Sequence, residues 1–281
     1  MKIYRIRSYE EYQGHHQRMQ EVYTTRGKYE KSLIPRWGKT FKVEGFSYPA
    51  GKTVNFHTDF VHQTRKGVPN WRETLLCPNT NLNNRLRASV HILDLECAPY
   101  DDDHIYITEQ VTAFYRYLSD RFQNVTGSEF VGEDCASGSV SAEGIRHEDL
   151  TALSFPSNCF KTLLTFDCLE HIPDDTKAFK ECYRVLSPSG NMLFSVPFDL
   201  RSPQNITRAK LTEAGEIEHI LEPEYHGDPM KKSGCLCFRH YGWEFLDELK
   251  NAGFRDAYAV LYWSKEFCYL GGEQVIFVAK K

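Results

Sequence analysis

Two sets of polar residues stand where they can do chemistry. The first comprises Glu109 with Gln110, Glu129, Glu148 with Asp149, and Asp167, each within or just after one of the short runs HIYIT, NVTGSEF, GIRHEDL and KTLLTFD. Such β-branched and aromatic runs predict strands. In an open α/β sheet, ligands bind beyond the carboxyl ends of the strands, and an acidic side chain ending the second strand can accept both hydroxyls of a ribose. Taken singly, each carboxylate is also explained by a solvated loop or a helix cap; four at consecutive strand ends point to a site. The second set is His171, just past the fourth run, with Glu224-Tyr225-His226-Gly227-Asp228 and Arg239-His240-Tyr241 further on. It gathers donors, acceptors and imidazoles, which titrate near neutrality. The segment carrying Glu224 to Asp228 reads equally as a surface lid, and Arg239 to Tyr241 either receives an acidic ligand or leads into a helix.

The order of elements around these residues is strand, helix, strand, strand, helix, strand, which predicts a largely parallel sheet. Val111, Phe114, Tyr115, Leu118 and Phe122 lie on one helical face after HIYIT, and KTLLTFD is apolar enough to be covered on both sides. Asp174 or Asp175 caps a helix bearing Phe179, Cys182, Val185 and Leu186, stopped by Ser187-Pro188-Ser189-Gly190 before the strand NMLFSVPF. After a polar insertion over residues 200–239, WEFLDELKNAGF predicts a helix, and AYAVLYW and EQVIFVAKK predict two closing strands. Upstream, Ser8 and Glu11 have capping-box spacing ahead of a helix over residues 9–31. The Gly- and Pro-rich stretch from 35 to 84 predicts a small antiparallel unit through TFKVEGF and KTVNFHTDF, and residues 82–97 predict another helix.

The bulk properties narrow the classes. With 281 residues, the chain can bury a substantial core without disulfide or metal. No apolar run approaches membrane-spanning length and the start has no secretory apolar stretch, so a cytoplasmic protein without a membrane partner is expected. Net charge is −4 with Lys and Arg dispersed, which disfavours a nucleic-acid partner. Nine cysteines without a C-x-x-C pair suit reduced thiols, Cys235-x-Cys237 being the only close pair.

The segment IRHEDLTALSFPSNCFKTLLTFDCLEHIPDDTKAFKECYRVLSPSGNMLFSVPF resembles class I S-adenosylmethionine-dependent methyltransferases. It has an acidic-plus-apolar pair in Asp149-Leu150, an L-x-F-x-x-x-x-F phrase from Leu153 to Phe160, an L-E-H-[IV]-x-D phrase from Leu169 to Asp174, and R-V-L-x-P-x-G from Arg184 to Gly190. The resemblance covers roughly 105–281 and is dense between 145 and 198. It implies an α/β fold with a Rossmann-like seven-stranded methyltransferase sheet over 104–281, interrupted by the insertion at 200–239, and a small N-terminal α+β subdomain over 1–103. It implies S-adenosyl-L-methionine as cofactor, held by Thr108, Glu109, Gln110, Thr112, Glu129, Glu148, Asp149, Leu150, Phe166, Asp167 and His171.

In one place the chain departs from that family. The glycine-rich turn expected after the first strand, where absent side chains admit the cofactor, is replaced by TEQVTAFY. Either Thr108, Gln110 or Thr112 supplies hydrogen bonds to the amino-acid end of the cofactor, or the site is dead. YITEQVT, GSEF-x-G, GIRHEDLTALSF and EYHGDP also resemble a bacterial subgroup often encoded among glycan or natural-product genes, whose N-terminal portion carries two C-x-x-C pairs in a small zinc unit. The matching places here are Ser47 to Ala50 and Cys77 to Thr80, so a metal-free, zinc-ribbon-like remnant is expected, with residues 81–88 following it and reaching over the cofactor. Methyl transfer needs a base where the acceptor carries a proton. His226 is the expected base, with Tyr225 and Asp228 beside it, and His171 either shares the chemistry or lies beneath the cofactor. The acceptor is expected to be a small molecule or glycan, methylated on oxygen or nitrogen. Another use of the sulfonium and a non-catalytic scaffold remain the alternatives.

Overall fold

The computed structural model describes residues 1–63, 65–228, 230 and 233–281. In chain order the elements are β1 (Ile3–Ile6), α1 (Tyr9–Arg18), α2 (Gln20–Leu33), β2 (Thr40–Ser47), β3 (Lys52–Asp59), α3 (Asn84–Glu96), β4 (His104–Ile107), α4 (Ala113–Arg121), β5 (Asn124–Gly127), β6 (Phe160–Phe166), α5 (Asp175–Val185) and β7 (Leu186–Ser195). The insertion follows as β8 (Ile206–Thr207), β9 (Ala209–Leu211), β10 (Ile217–His219), β11 (Tyr225–His226), β12 (Cys235–Leu236) and β13 (Arg239–His240), and the chain closes with α6 (Phe245–Asn251), β14 (Asp256–Ser264) and β15 (Tyr269–Lys280). Among the described residues no helix is long and apolar enough to cross a membrane, and no disulfide forms.

Seven strands hydrogen-bond in the order β1-β14-β15-β7-β6-β4-β5. Strands β5, β4, β6 and β7 run parallel, β15 is antiparallel to β7, and β1 is antiparallel to β14. The chain leaves β4 toward β5 on one side and returns to β6 on the other, so the strand order reverses at β4. The carboxyl ends of β4, β5 and β6 therefore frame the crevice such a sheet offers a ligand.

The count of seven matches the expectation, but its members differ. The strand predicted over 144–150 contributes only isolated bridges, a parallel one from Glu129 to His147 and an antiparallel one from Val140 to Arg146. Its apolar residues, Ile145 and Leu150, are too few to hold a covered strand, and side-chain bonds fix the segment instead. The seventh strand is β1, where the sequence carried no strand prediction; it lies along β14 from Ile3 opposite Tyr262 to Ile6 opposite Ala259. The predicted helix over 9–31 is broken at Met19 into α1 and α2. Ser187 to Gly190, predicted as a helix stop, lie inside β7, where Ser189 takes φ +62° and the register against β6 shifts.

The chain divides into two compact units, residues 1–6, 10–98 and 259–276, and residues 7–9, 99–258 and 277–281. The sequence placed a boundary after residue 103; the first unit also takes residues 259–276, which hold most of β14 and β15. That unit is built on Val43, Val54, Phe56, Trp71, Leu75, Cys77, Cys268 and Leu270. Arg87 is fully buried within it, its guanidinium 3.7 Å from the Phe56 ring and donating to the carbonyls of Phe267 and Cys268. Ser47 and Cys77, one from each place where the resemblance would put zinc cysteines, meet with Oγ and Sγ 3.3 Å apart.

In the second unit, Ile105, Tyr106, Ile107, Leu163, Leu164, Met192, Leu193 and Phe194 are fully buried, as parallel strands covered on both faces must be. Helix α4 buries Phe114 and Leu118, and α5 buries Ala178, Phe179, Cys182 and Val185. Asp174 caps α5 by accepting the Lys177 N–H.

Candidate functional site

The loop leaving β4 carries no glycine, yet it turns tightly against β5. A methyl group built on Gly127, the last residue of β5, would stand 2.7 Å from the Glu109 carbonyl oxygen and 2.6 Å from the Tyr115 ring. At this turn the residue that lets backbone approach backbone is thus Gly127, on the neighbouring strand. Side chains complete the turn. Glu129, nearly buried beyond β5, accepts the N–H groups of Gln110 at 2.6 Å and Val111 at 3.0 Å through Oε1. Gln110 bridges the segment beyond β5, its amide donating to the Gly144 carbonyl and accepting from the Arg146 N–H. Thr112 caps α4 by accepting the Tyr115 N–H.

The other residues expected at the cofactor also have partners within the protein. Glu148, buried at 3% exposure, accepts from Arg146 Nε and from the Ser154 hydroxyl and N–H, and so anchors its own loop. Thr108 donates to the Thr165 hydroxyl across to β6. Asp149 holds a local turn, its Oδ1 accepting from the Thr151 N–H and hydroxyl, beside buried Leu150. Asp167 sits in the left-handed region at φ +48° just past Phe166, its N–H donating to the Ser195 carbonyl and its Oδ1 accepting from the Ser195 hydroxyl. Burial raises the Glu129 carboxyl above its ordinary range despite the two N–H donors, and the Asp228 charge pushes the same way.

A second constellation lies past β6, where Leu169–His171 form one turn of 3-10 helix. Glu170 is fully buried and, among the described residues, neither carboxylate oxygen accepts a hydrogen bond of good geometry. Its Oε1 stands 3.4 Å from His226 Nδ1 and 3.7 Å from His171 Nε2. Each imidazole is oriented from its other nitrogen: His171 Nδ1 bonds the Leu236 carbonyl at 2.8 Å, and His226 Nε2 bonds Glu224 Oε1 at 3.0 Å. The two rings meet edge to face with centroids 4.9 Å apart. Glu224 also receives His240 Nε2 at 3.1 Å and Arg208 at 3.1 Å, and the Phe238 N–H donates to the Glu170 carbonyl at 2.7 Å.

The Glu170 and Glu224 carboxylates raise His226 to about 9, which favours its protonated form in the ligand-free chain; the base expected from the sequence would act from the deprotonated form. Tyr225, paired with Leu236, is 58% exposed and stands outside the cluster. Asp228 closes its hairpin, accepting the Met230 N–H and the Cys235 thiol, while Pro229, which ends the EYHGDP phrase, lies outside the described residues. Arg239 pairs with Asp175 at 2.5 Å and bonds the Pro173 carbonyl at the start of α5, a helix other than the one it precedes in sequence, with the Tyr241 hydroxyl on the same carboxylate. Glu170 was not singled out in the sequence; its only signal there is its place between Leu169 and His171.

Residues 111–194 match the family model for a methyltransferase domain. The match runs from the end of the β4 loop through β5 and β6 into β7. It includes Glu129, Asp149, Asp167, Glu170 and His171 and stops short of the insertion. A stretch of 84 residues, 28% of the chain, is 31% identical to a protein of Mycolicibacterium smegmatis named as a probable S-adenosylmethionine-dependent methyltransferase. The chain spans about a third of the length of that curated relative, 33%. Among solved structures, an S-adenosylmethionine-dependent methyltransferase from Mesorhizobium loti superposes with a TM-score of 0.43 at 17% identity, over 70% of this chain and 98% of that one. The 1,6-didemethyltoxoflavin-N1-methyltransferase of Burkholderia thailandensis gives 0.42 at 16% identity, over 70% of this chain and 77% of the other.

Proposed function

We propose that this chain is an S-adenosylmethionine-dependent methyltransferase whose acceptor is a small molecule or a glycan. The methyltransferase-domain match over residues 111–194 carries the reading, because it spans the segments that place carboxylates at the ends of β5 and β6. The donor chemistry suits the cofactor. The Glu129 carboxylate would take the ribose hydroxyls with Glu109 beside it, Asp149 and Leu150 the adenine, and Thr108 with Phe166 and Asp167 would border the amino-acid end. Bound S-adenosylmethionine supplies an electrophilic methyl group on a sulfonium. The chain must hold the acceptor in line with that group and remove its proton where it carries one. Glu170, His171 and His226 form the acceptor pole of this arrangement: Glu170 and His171 follow β6, and the insertion brings His226 to within 3.4 Å of Glu170.

Calorimetric titration of S-adenosylmethionine and S-adenosylhomocysteine into wild type and Glu129→Ala tests the reading. Micromolar binding to wild type that is lost in the variant is the expected result. No binding to wild type overturns the enzyme assignment and leaves a methyltransferase-like scaffold.

A further inference from the structure

Glu170, His171 and His226 present one oxygen and two nitrogens whose atoms all lie within 4.8 Å of one another. We propose that these three residues bind a single divalent transition-metal ion, of the class zinc and iron(II) represent, with Glu170 Oε1, His171 Nε2 and His226 Nδ1 as ligands and at least one position left open. Two donors bound to zinc at about 2.0–2.1 Å in tetrahedral geometry stand roughly 3.4 Å apart. The separations from Glu170 Oε1 are 3.4 Å to His226 and 3.7 Å to His171. Two histidines and one carboxylate are a set that both catalytic zinc and non-haem iron(II) use, with positions kept for water or substrate.

Three further observations point to an ion. Glu170 is fully buried and, among the described residues, neither carboxylate oxygen accepts a hydrogen bond of good geometry; its charge is met only by the His226 and His171 rings at 3.4 and 3.7 Å, the places from which they would share an ion with it. Both imidazoles are held as metal-bound histidines are, the distal nitrogen donating to an oxygen so that the other nitrogen faces the site, where an ion can displace its proton: His171 through the Leu236 carbonyl, His226 through the Glu224 carboxylate. The buried Glu170 charge would also face the ion directly, while Glu224 is shared with Arg208 and His240. A second set, Glu224, His226, Cys237 and His240, shares His226. In the present assignment its carboxylate orients His226 and is itself held by His240 and Arg208, while the Cys237 thiol donates to the Arg239 carbonyl. The open position would take the acceptor's oxygen or nitrogen and lower the pKa of its proton.

The ion requires only this cluster, so its test is separate from cofactor binding. The full-length protein, stripped with a chelator and dialysed, is titrated with cobalt(II) and zinc(II); bound metal is counted by mass spectrometry and cobalt coordination read from visible absorption. Expected are one ion per chain and a cobalt band characteristic of nitrogen and oxygen ligands, with binding lost in Glu170→Gln and in His226→Gln, the latter on a half-exposed hairpin and so foldable. Glu224→Gln should weaken binding roughly 10- to 100-fold. Cys237→Ser and Cys77→Ser should leave it unchanged. Absence of binding in wild type, binding that survives Glu170→Gln in a folded variant, or loss in Cys237→Ser with a sulfur-to-cobalt charge-transfer band would overturn the assignment. Retained S-adenosylhomocysteine affinity in the Glu170→Gln variant distinguishes failure of the metal site from failure of the methyltransferase reading.

Discussion

Replacing Gly127 by alanine adds one methyl group where β5 meets the loop from β4. The new carbon would lie 2.6 Å from the Tyr115 ring and 2.7 Å from the Glu109 carbonyl oxygen. Comfortable carbon contacts are about 3.5–4.0 Å, so ring and loop must retreat by roughly 1 Å. The ring can turn; the carbonyl belongs to the loop that Glu129 holds through the Gln110 and Val111 N–H groups. Overpacking of this kind costs about 1–3 kcal/mol. At about 2 kcal/mol the melting temperature falls by roughly 4–8 °C. The companion variant is Gly132→Ala, whose added methyl meets nothing within 4 Å; its melting temperature should stay at or slightly above that of wild type. Scanning calorimetry measures both, and titration with S-adenosylhomocysteine should find affinity reduced only in Gly127→Ala. If Gly127→Ala melts and binds as wild type does, the idea that this glycine replaces the missing glycine-rich turn is refuted.

Two further outcomes follow from ion pairs. Arg239→Ala removes the partner of largely buried Asp175 and the donor to the Pro173 carbonyl; breaking a buried pair on one side costs about 3–5 kcal/mol, and Asp175→Asn in that background should recover part of the loss in denaturant melts. Arg7 bonds Asp256 in two places and holds its carboxyl below the ordinary value of 3.8. A depressed folded-state pKa gives stability that is fully present above the ordinary value and is lost as pH falls through the lowered one. The melting difference between wild type and Arg7→Ala should therefore be flat above about pH 5 and close below pH 4, and, the pair being partly exposed, should correspond to less than about 1 kcal/mol; a difference that grows on acidification contradicts the sign.

Much of the sheet was legible because buried parallel strands are long apolar runs: KTLLTFD and NMLFSVPF could scarcely be anything else. The GIRHEDL segment misled because Ile145 and Leu150 suggest a strand, while Arg146, Glu148 and Gln110 settle the segment through side-chain bonds that no periodicity reveals. IYRI escaped notice because four residues with half-buried faces carry little signal, and their pairing with β14 spans more than 250 positions in sequence. At the site, Glu129 could be placed from its strand end, but its engagement with the Gln110 and Val111 N–H groups depends on how the loop turns. Glu170 shows the same limit. A glutamate beside a histidine reads as loop polarity until the insertion brings His226 and Glu224 back over it from more than fifty residues away.

The strand exchange has a consequence for how the protein behaves in a crowded solution. An exposed strand edge offers unpaired backbone groups to any passing chain. Here the sheet ends in β1 and β5, each only four residues long; β1 lies along part of the nine-residue β14, and beyond β5 the bridge from Glu129 to His147 interrupts the free edge. Residues 3–6, distant in sequence from every residue discussed for catalysis, thus leave a short strand at the edge in place of the longer β14. Deleting them should promote aggregation at high protein concentration well before it affects cofactor binding.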